Sequence, residues 1–450
     1  MNKMLELTEE QTIAKAKIQD FLNSNSKVFV LKGYAGTGKT TLIKEILKEE
    51  WYNNYRKIVV SAYTNKATNV IGAKLYYADK LTLFKLLNLK ADESDLKISF
   101  DKAGEDHVSK YDIIVVDEVS MVNDKYLNLL IEKVNSLCSR TKLILVGDKA
   151  QLPPVDQKTD SVAFTFENSF ELREIVRQAK NSNIFKYSIC VRDFLERDKI
   201  PNIKTKLIPK DIDYTVNDLV IFNDSKKFQD YMYADFQSPE YKEDNNYVKV
   251  IAYRNATINA LNRMIREKIF PSSDESINQG ENLILNAYYS DKDNYVNFSP
   301  SDEIKVLNVK SKIMHDGEDL GVKLIFPYFT CDVQRRIDGA IAEMKIVDPK
   351  FYEDFEKMLK EWGETIRKKA EDPKSYFRDI FYKLKKTFQT PYYDYAITSH
   401  KSQGSTYNKV YVIEDDIENV TLANPRDLWK SKYVAYTRAS EKLIILNRNK

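Results

Sequence analysis

Nine consecutive residues, Gly33-Tyr34-Ala35-Gly36-Thr37-Gly38-Lys39-Thr40-Thr41, hold the densest chemistry in the sequence. They follow the spacing G-x-x-x-x-G-K-[ST], in which glycines let backbone N–H groups close around phosphates. Lys39 would reach the β- and γ-phosphates, and Thr40 would hold Mg²⁺ through its hydroxyl. The apolar run Val28-Phe29-Val30-Leu31 precedes the stretch, and Leu42-Ile43-Lys44-Glu45-Ile46-Leu47 follows it. That is the strand, loop and helix context the motif needs, and the helix N-terminus adds its dipole to anion binding. The pattern implies a nucleoside triphosphate ligand.

A second constellation lies further along. Ile113-Ile114-Val115-Val116-Asp117-Glu118 reads as a buried strand ending in two carboxylates. One carboxylate can hold the metal shell while its neighbour orients and deprotonates an attacking water, so Asp117 takes the first role and Glu118 the second. Leu143-Ile144-Leu145-Val146-Gly147-Asp148 is another core strand. Gln151 falls just past its tip, near where a γ-phosphate would sit, in a loop stiffened by Pro153 and Pro154. Arg177 offers an always-charged guanidinium for phosphoryl oxygens. As a lone arginine it reads as a surface ion pair, and only its order behind the other motifs makes it a site candidate.

These groups need elements to position them. Residues 8–24 predict a helix with Thr8 as N-cap and Gln11 at capping-box spacing. Gln11 has an alternative role, bonding an adenine edge with its amide, and both readings stay open. After the glycine-rich loop, Lys57–Ala62 predicts a buried strand. Tyr63-Thr64-Asn65-Lys66-Ala67 then forms a polar cluster at the strand's C-terminal end, where open α/β sheets bind ligands. Lys80–Phe84 begins a short helix. Alone, these two segments read more readily as caps and surface than as a site. Residues 88–110 are polar, with Leu96–Phe100 alternating at strand period, which predicts an exposed hairpin. Phe100 either packs on the domain or stands out as a wedge.

Residues 181–245 are helix-prone and charged, with turn signals at Pro201, Pro209 and Pro239. A second α/β pattern starts at Tyr247–Tyr253, followed by a helix from Ala256 to Phe270. From Pro271 to about Pro327 short strands and turns predict a small β-barrel or sheet insertion. Residues 349–387 predict an amphipathic helical run with a stripe of Phe351, Phe355, Met358, Leu359, Trp362 and Ile366. The α/β unit resumes at Tyr393–Thr398 and ends with the strand Lys442–Leu446. His400 has no partnered Asp or Cys, so metal and triad readings are poor.

Composition sets the outer limits. At 450 residues there is room for roughly three domains. Lys+Arg 70 against Asp+Glu 67 gives a net charge of +3, so any basic track for a nucleic acid must be local. The 3 cysteines, Cys138, Cys190 and Cys331, fit neither a disulfide framework nor zinc spacing, which suits a reducing compartment. The N-terminus lacks a signal-peptide apolar region, and no run approaches membrane-spanning length, so a cytoplasmic location is expected.

The order of the motifs resembles that of superfamily 1 DNA helicases, nearest the 5′-to-3′ branch with RecD-like proteins. The resemblance rests on Gly33–Thr41, Tyr63–Ala67, Asp117-Glu118-Val119-Ser120-Met121, Gly147-Asp148 with Gln151–Val155, Arg177-Gln178, His400-Lys401-Ser402-Gln403-Gly404 and Val434-Ala435-Tyr436-Thr437-Arg438. It implies an α/β fold of two RecA-like P-loop domains, with a β-hairpin insertion in the first and a small β-barrel plus helical insertion in the second. Residues 1–180 would form the first domain, with the hairpin at 88–110. Residues 181–272 and 390–450 would form the second, and 273–389 the insertion domain.

The same resemblance implies ATP and Mg²⁺ in a cleft between the two domains. Gln11 would read adenine. Gly33, Ala35, Gly36, Thr37, Gly38, Lys39, Thr40 and Thr41 would cradle phosphate, and Thr40 and Asp117 would hold the metal. Glu118 would activate water, Gln151 and Gln403 would sense the γ-phosphate, and Gly404 would be a further nucleotide-binding residue. Arg177 and Arg438 would neutralise charge on the transferring phosphoryl group. Single-stranded and fork DNA would meet Thr64, Asn65, Lys66, Thr82, Tyr253, Asn255, Thr398, His400 and Lys401, with Phe100 as the strand-separating wedge. Action as a monomer, in a host cytoplasm if the chain is phage-encoded, and replication or recombination partners complete the expectation. The alternatives are a translocase that strips bound proteins and an ATP-gated DNA-binding switch.

Overall fold

In the computed structural model the residues described are 7–63, 68, 75–92, 97–100, 107–136, 140–154, 157, 159–174, 182–197, 199–207, 209, 212–213, 215–270, 276–291, 296–315, 325–369, 384, 387–420 and 424–448. The chain divides into two compact units. One comprises Met1–Leu89, Phe100–Leu261 and Ala396–Lys450, and the other Lys90–Ser99 and Asn262–Tyr395.

The first unit contains two parallel sheets. The strands of the first lobe are β1 (Val28–Gly33), β2 (Ile58–Ala62), β3 (Asp79–Thr82), β6 (Ile113–Asp117), β7 (Lys142–Gly147) and β8 (Ser169–Leu172), in spatial order β3-β2-β6-β7-β1-β8. Between β3 and β6 the chain makes a separate two-stranded sheet of β4 (Leu89–Asp92) and β5 (Lys97–Phe100), the expected hairpin. The central strands are unbroken Val/Ile/Leu runs because both of their faces are covered. On one face Leu31, Val60, Val115 and Val146 pack with Ile18, Ile43, Ile46 and Leu47 of the flanking helices. On the other, Val30, Val116 and Leu145 pack with Leu127 and Leu130. Parallel pairing sets Leu31 beside Val146 and Leu145 beside Val116, so the tips of β1, β7 and β6 lie side by side at one sheet edge.

The second lobe opens with β9 (Leu219–Phe222) and β10 (Val248–Ala252). The chain then leaves through β11 (Asn282–Ile284), β12 (Tyr289–Asp291), β13 (Val296–Phe298), β14 (Glu303–His315), β15 (Phe326–Arg335), β16 (Ile341–Val347), β17 (Phe388–Gln389) and β18 (Tyr392–Tyr393). It returns with β19 (Ala396–Thr398), β20 (Tyr407–Ile413) and β21 (Ala439–Leu446). The second sheet runs β19-β10-β20-β21-β9, all parallel. The short strands β8 and β9 at the sheet edges, one alternating (Ser169-Phe170-Glu171-Leu172) and one an apolar run (Leu219-Val220-Ile221-Phe222), span four residues each and go unread.

The other unit is built on the sheet β17-β16-β15-β14-β11-β18, antiparallel except where β16 meets β17. Among the described residues this sheet is open, with β17 and β18 as its edges, which is the sheet alternative of the sequence reading and not the small barrel that the resemblance implied. Register shifts in the β14–β15 pair mark bulges that bend it. Phe329, Cys331, Val333, Met344 and Ile346 form one core. Phe355 and Leu359 of the helix Tyr352–Lys369 pack with Phe326, Tyr328 and Phe388 in another. Two cysteines, Cys190 and Cys331, are free thiols, and Cys138 lies outside the described residues.

Candidate functional site

The loop after β1 turns because Gly36 and Gly38 take φ of 83° and 78°. A Cβ on Gly38 would stand 2.5 Å from the Gln11 amide nitrogen at a φ that side chains rarely adopt, so another residue would displace Gln11 and strain the turn. Lys39 opens the helix Lys39–Asn54, and its ammonium donates to the Gly33 and Tyr34 carbonyls at 2.7 and 2.9 Å. Gln11 serves two ends at once. Its Oε1 accepts from the Thr8 N–H at 3.1 Å, completing a capping box on the helix Glu9–Asn23. Its Nε2 donates to the Thr37 carbonyl, also at 3.1 Å. The capping role is realised, and the same amide braces the glycine-rich loop.

Asp117 ends β6. Its carboxylate accepts from the Thr40 hydroxyl at 3.3 Å and from the Glu118 N–H at 2.9 Å. Glu118 itself sits at φ 51°, in the left-handed region that a residue with a side chain rarely adopts. Such a local cost persists where the surrounding structure over-determines it, and it is concentrated at functional sites. Burial pushes the Glu118 carboxyl above its ordinary range and the Asp117 charge adds to that, while Arg438, Lys39 and a hydrogen bond from Gln151 draw it back. Burial also raises Asp117, against the Glu118 N–H, Lys39 and Thr40.

The second lobe supplies the facing groups. Arg438 follows the helix Pro425–Tyr436, is 5% exposed, and is held by the Val434 carbonyl at 3.1 Å, the Ser405 carbonyl at 3.0 Å and the Thr437 hydroxyl at 3.1 Å. Burial lowers its pKa, and the Glu118 carboxylate is the largest influence in the opposite direction. Gln403 donates to Gln151 Oε1 at 3.3 Å and to the Leu152 carbonyl at 3.2 Å, so both expected γ-phosphate sensors touch. Gly404 beside it takes φ 72°. Thr41 is exposed on the first turn of its helix. Lys39, Thr40, Asp117, Glu118, Gln151, Gln403 and Arg438 thus converge from both lobes. Arg177 lies outside the described residues.

Three further residues, to which the sequence reading gave no role of their own, belong to this cluster. Asp148, fully buried, accepts from the Ala150 N–H at 2.9 Å and from the Tyr433 hydroxyl at 2.9 Å. The Tyr433 oxygen in turn accepts from the Ala35 N–H at 3.0 Å. Tyr34 donates its hydroxyl to Glu196, and the Arg192 guanidinium stacks 4.4 Å from its ring centroid. Asp148 had a legible signal, since it stands at a strand tip as Asp117 does. Tyr433 had none, because a tyrosine on an amphipathic helix reads as core.

The expected DNA contacts fall into two groups. In the first lobe Thr82 caps the helix Leu83–Leu86, and the rings of Tyr63, Phe84 and Tyr126 follow one another at centroid distances of 5.8 and 5.2 Å. Thr64, Asn65 and Lys66 lie outside the described residues, as does the side chain of Phe100 at the end of β5. In the second lobe Thr398 caps the helix Ser399–Ser402, Lys401 is exposed, and the Tyr253 and His400 rings meet edge to face at 6.1 Å. Burial alone lowers the His400 pKa. Asn255 is exposed at the start of the helix Asn255–Ile269. Asp416 holds the preceding turn, accepting from the Tyr253 and Arg254 N–H groups at 2.9 and 2.8 Å and from the Thr257 hydroxyl at 2.6 Å. All three residues of its run, Glu414-Asp415-Asp416, are buried.

Two parallel sheets whose strand tips share a phosphate-type loop, a carboxylate pair and a second-lobe arginine define a two-lobed P-loop nucleotidase. The AAA domain family matches residues 6–193, and the UvrD-like helicase C-terminal domain family matches residues 393–446. An uncharacterized protein of Acanthamoeba polyphaga mimivirus is 27% identical over 96% of this chain and 98% of its own length. The ATP-dependent DNA helicase dda of Enterobacteria phage T4 is 25% identical over 62% of this chain and 61% of its own. The ATP-dependent DNA helicase PIF1 of Candida albicans is 29% identical over 40% of this chain, a match spanning only 22% of that protein. The crystal structure of the Pif1 helicase from Candida albicans shares the fold, with a TM-score of 0.51 at 17% identity over 99% of this chain and 95% of that one. The chain belongs to the superfamily 1 helicase family that includes Pif1, Dda and RecD. Among the described residues no helix is long and apolar enough to cross a membrane.

Proposed function

We propose that this protein is an ATP-dependent DNA helicase that moves 5′ to 3′ along single-stranded DNA and separates duplex ahead of it. The observation that carries the reading is the contact of the two lobes beside the glycine-rich loop, where Gln403 of the second donates to Gln151 of the first at 3.3 Å and the Tyr433 hydroxyl donates to Asp148 at 2.9 Å. Hydrolysis that needs groups from both lobes depends on their closure, and closure and opening are what a translocating motor needs.

Residue roles follow from placement. The loop N–H groups from Ala35 to Thr41 and the Lys39 ammonium bind phosphate. Thr40 and Asp117 offer hard oxygen donors 3.3 Å apart, a set that suits Mg²⁺ completed by phosphate and water. Among the described residues no cluster of three His, Cys, Asp or Glu offers a closed metal cage. When bound, Mg²⁺ would neutralise charge on the phosphates. Glu118 takes the proton of the attacking water, Gln151 and Gln403 sense the γ-phosphate, and Arg438, with Arg177, stabilises the transferring group. Thr82, Tyr253, Asn255, Thr398, His400 and Lys401, with Thr64, Asn65 and Lys66, grip the single strand without reading its sequence. The names of the relatives, ATP-dependent DNA helicases, support the substrate class.

The test is ATP-dependent separation of a short duplex bearing either a 5′ or a 3′ single-stranded tail, with ATP hydrolysis followed alongside. Unwinding from the 5′ tail alone is expected. Unwinding from the 3′ tail alone keeps the motor and reverses its polarity. DNA-stimulated hydrolysis with no strand separation removes the helicase and leaves a translocase or a switch.

A further inference from the structure

The phosphate-type loop is bound at two successive residues, by Arg192 and Glu196 at the end of the helix Asn183–Leu195 and by Tyr433 of the second lobe. Tyr34 is gripped by Glu196 and stacked under Arg192. The Ala35 N–H donates to the Tyr433 hydroxyl at 3.0 Å, and that hydroxyl donates onward to Asp148 at 2.9 Å. The chain Ala35, Tyr433, Asp148 therefore joins the loop after β1, the helix Pro425–Tyr436 and the tip of β7 through one oxygen. Tyr433 is 2% exposed, and burial, with the Asp148 charge beside it, keeps it a neutral phenol able to donate. Arg438 stands at the end of the same helix, its Nε bonded to the Val434 carbonyl. Whatever sets the position of Tyr433 sets that of Arg438.

Two demands meet at the Ala35 N–H. It is one of the backbone donors of a loop whose geometry serves phosphate oxygens, and the Tyr433 hydroxyl occupies it. We infer that Tyr433 is a positioning residue of the nucleotide cycle, whose hydroxyl competes with phosphate for the Ala35 N–H while its bond to Asp148 seats the helix carrying Arg438. The inference rests on the nucleotide reading proposed above. Phosphate entering the loop takes the Ala35 donor, the tyrosine keeps only Asp148, and the second-lobe helix is informed that the loop is filled. Asp148 gains a role in this scheme without touching nucleotide.

Tyr433→Phe removes the oxygen and keeps the ring, so the buried packing survives. Losing the competing bond, worth about 1 kcal/mol net, lowers KM for ATP about fivefold. Losing the Asp148 bond loosens the seat of Arg438 and lowers kcat of DNA-stimulated hydrolysis. The expected signature is a joint fall of KM and kcat, which general loosening does not produce, since that raises KM. Asp148→Asn, in which the Ala35 bond to Tyr433 remains, should lower kcat and leave KM near its original value. A rise in KM for Tyr433→Phe, or no change in either constant, overturns the inference. A control separates this from failure of the underlying reading: the wild-type protein should bind ATP by direct titration, and Lys39→Ala should abolish turnover. No ATP binding by the wild-type protein removes the nucleotide assignment of the loop, and the inference with it.

Discussion

Glu118 concentrates the chemistry of the first lobe in one side chain. It follows the strand tip in a left-handed conformation, its carboxyl is raised by burial and by Asp117, and Arg438 and Lys39 draw it back. A general base works only when ionised, so turnover should decline as pH falls through that raised value, and the acid limb of kcat should lie above the ordinary 4.5. Glu118→Gln should bind ATP normally and hydrolyse it about 10²–10⁴-fold more slowly. Single-turnover hydrolysis with parallel nucleotide titration checks both halves, and wild-type hydrolysis in this variant removes Glu118 as the base. The Asp117-Glu118 pair was legible in the sequence because a carboxylate pair closing an apolar strand is a local pattern. Tyr433 and Asp148 were not read as partners, because 285 residues separate them along the chain. Periodicity reports which face of a helix is buried and carries nothing about which distant oxygen a buried hydroxyl will find.

At the scale of elements, the same limit appears in the segment Glu414–Glu418. Its composition suggests an exposed acidic turn, yet the short helix is buried and each carboxylate is matched. Glu414 and Glu418 pair with Lys432 at 2.9 and 2.7 Å, Asp415 with Arg448 at 2.7 Å, and Asp416 with Arg254 at 2.5 Å. Charges leave water only when paired and hydrogen-bonded, so this segment ties β20, the last helix and the Tyr253 turn together. Burial raises the Asp416 carboxyl, but the Thr257 hydroxyl and the Arg254 and Tyr253 donors outweigh it, and the net pKa falls below the ordinary 3.8. A depressed carboxyl stabilises the fold at pH above its unfolded value, and that contribution is lost as pH falls through the folded one. Asp416→Asn should therefore cost about 1.5–3 kcal/mol at neutral pH, and the deficit should shrink below pH 3.8. Denaturant unfolding of both proteins at pH 7 and in acid checks this. A deficit independent of pH contradicts a role for the charge. The parallel strands themselves were readable, since Val/Ile/Leu runs such as β6, β7 and β10 need no distant information. The edge strands β8 and β9 are only four residues long, and runs that short leave helix and strand ambiguous whether they alternate or are wholly apolar.

For the whole molecule, the division of labour between ATP turnover and strand separation is carried by different parts of the chain. The turnover groups belong to the tips of β1, β6 and β7 and to the helix Pro425–Tyr436, all within one compact unit. The hairpin β4–β5 is a separate two-stranded sheet, entered directly after the helix Leu83–Leu86 that Thr82 caps, and so is inserted beside an expected strand-contacting segment. Its residues supply no strand to either parallel sheet, and of them Leu89 packs against the first-lobe core. If the hairpin is the proposed wedge and not part of the grip, its loss leaves the grip intact. Phe100→Ala should thus retain DNA-stimulated ATP hydrolysis within about twofold, the range expected when no transition-state contact is lost. The same variant should unwind tailed duplex markedly more slowly. Comparing unwinding per ATP hydrolysed for the two proteins isolates the effect from any change in turnover. Equal unwinding per ATP takes the wedge role from Phe100 and returns it to another part of the hairpin, whereas equal loss of both activities makes Phe100 a packing residue of the motor itself.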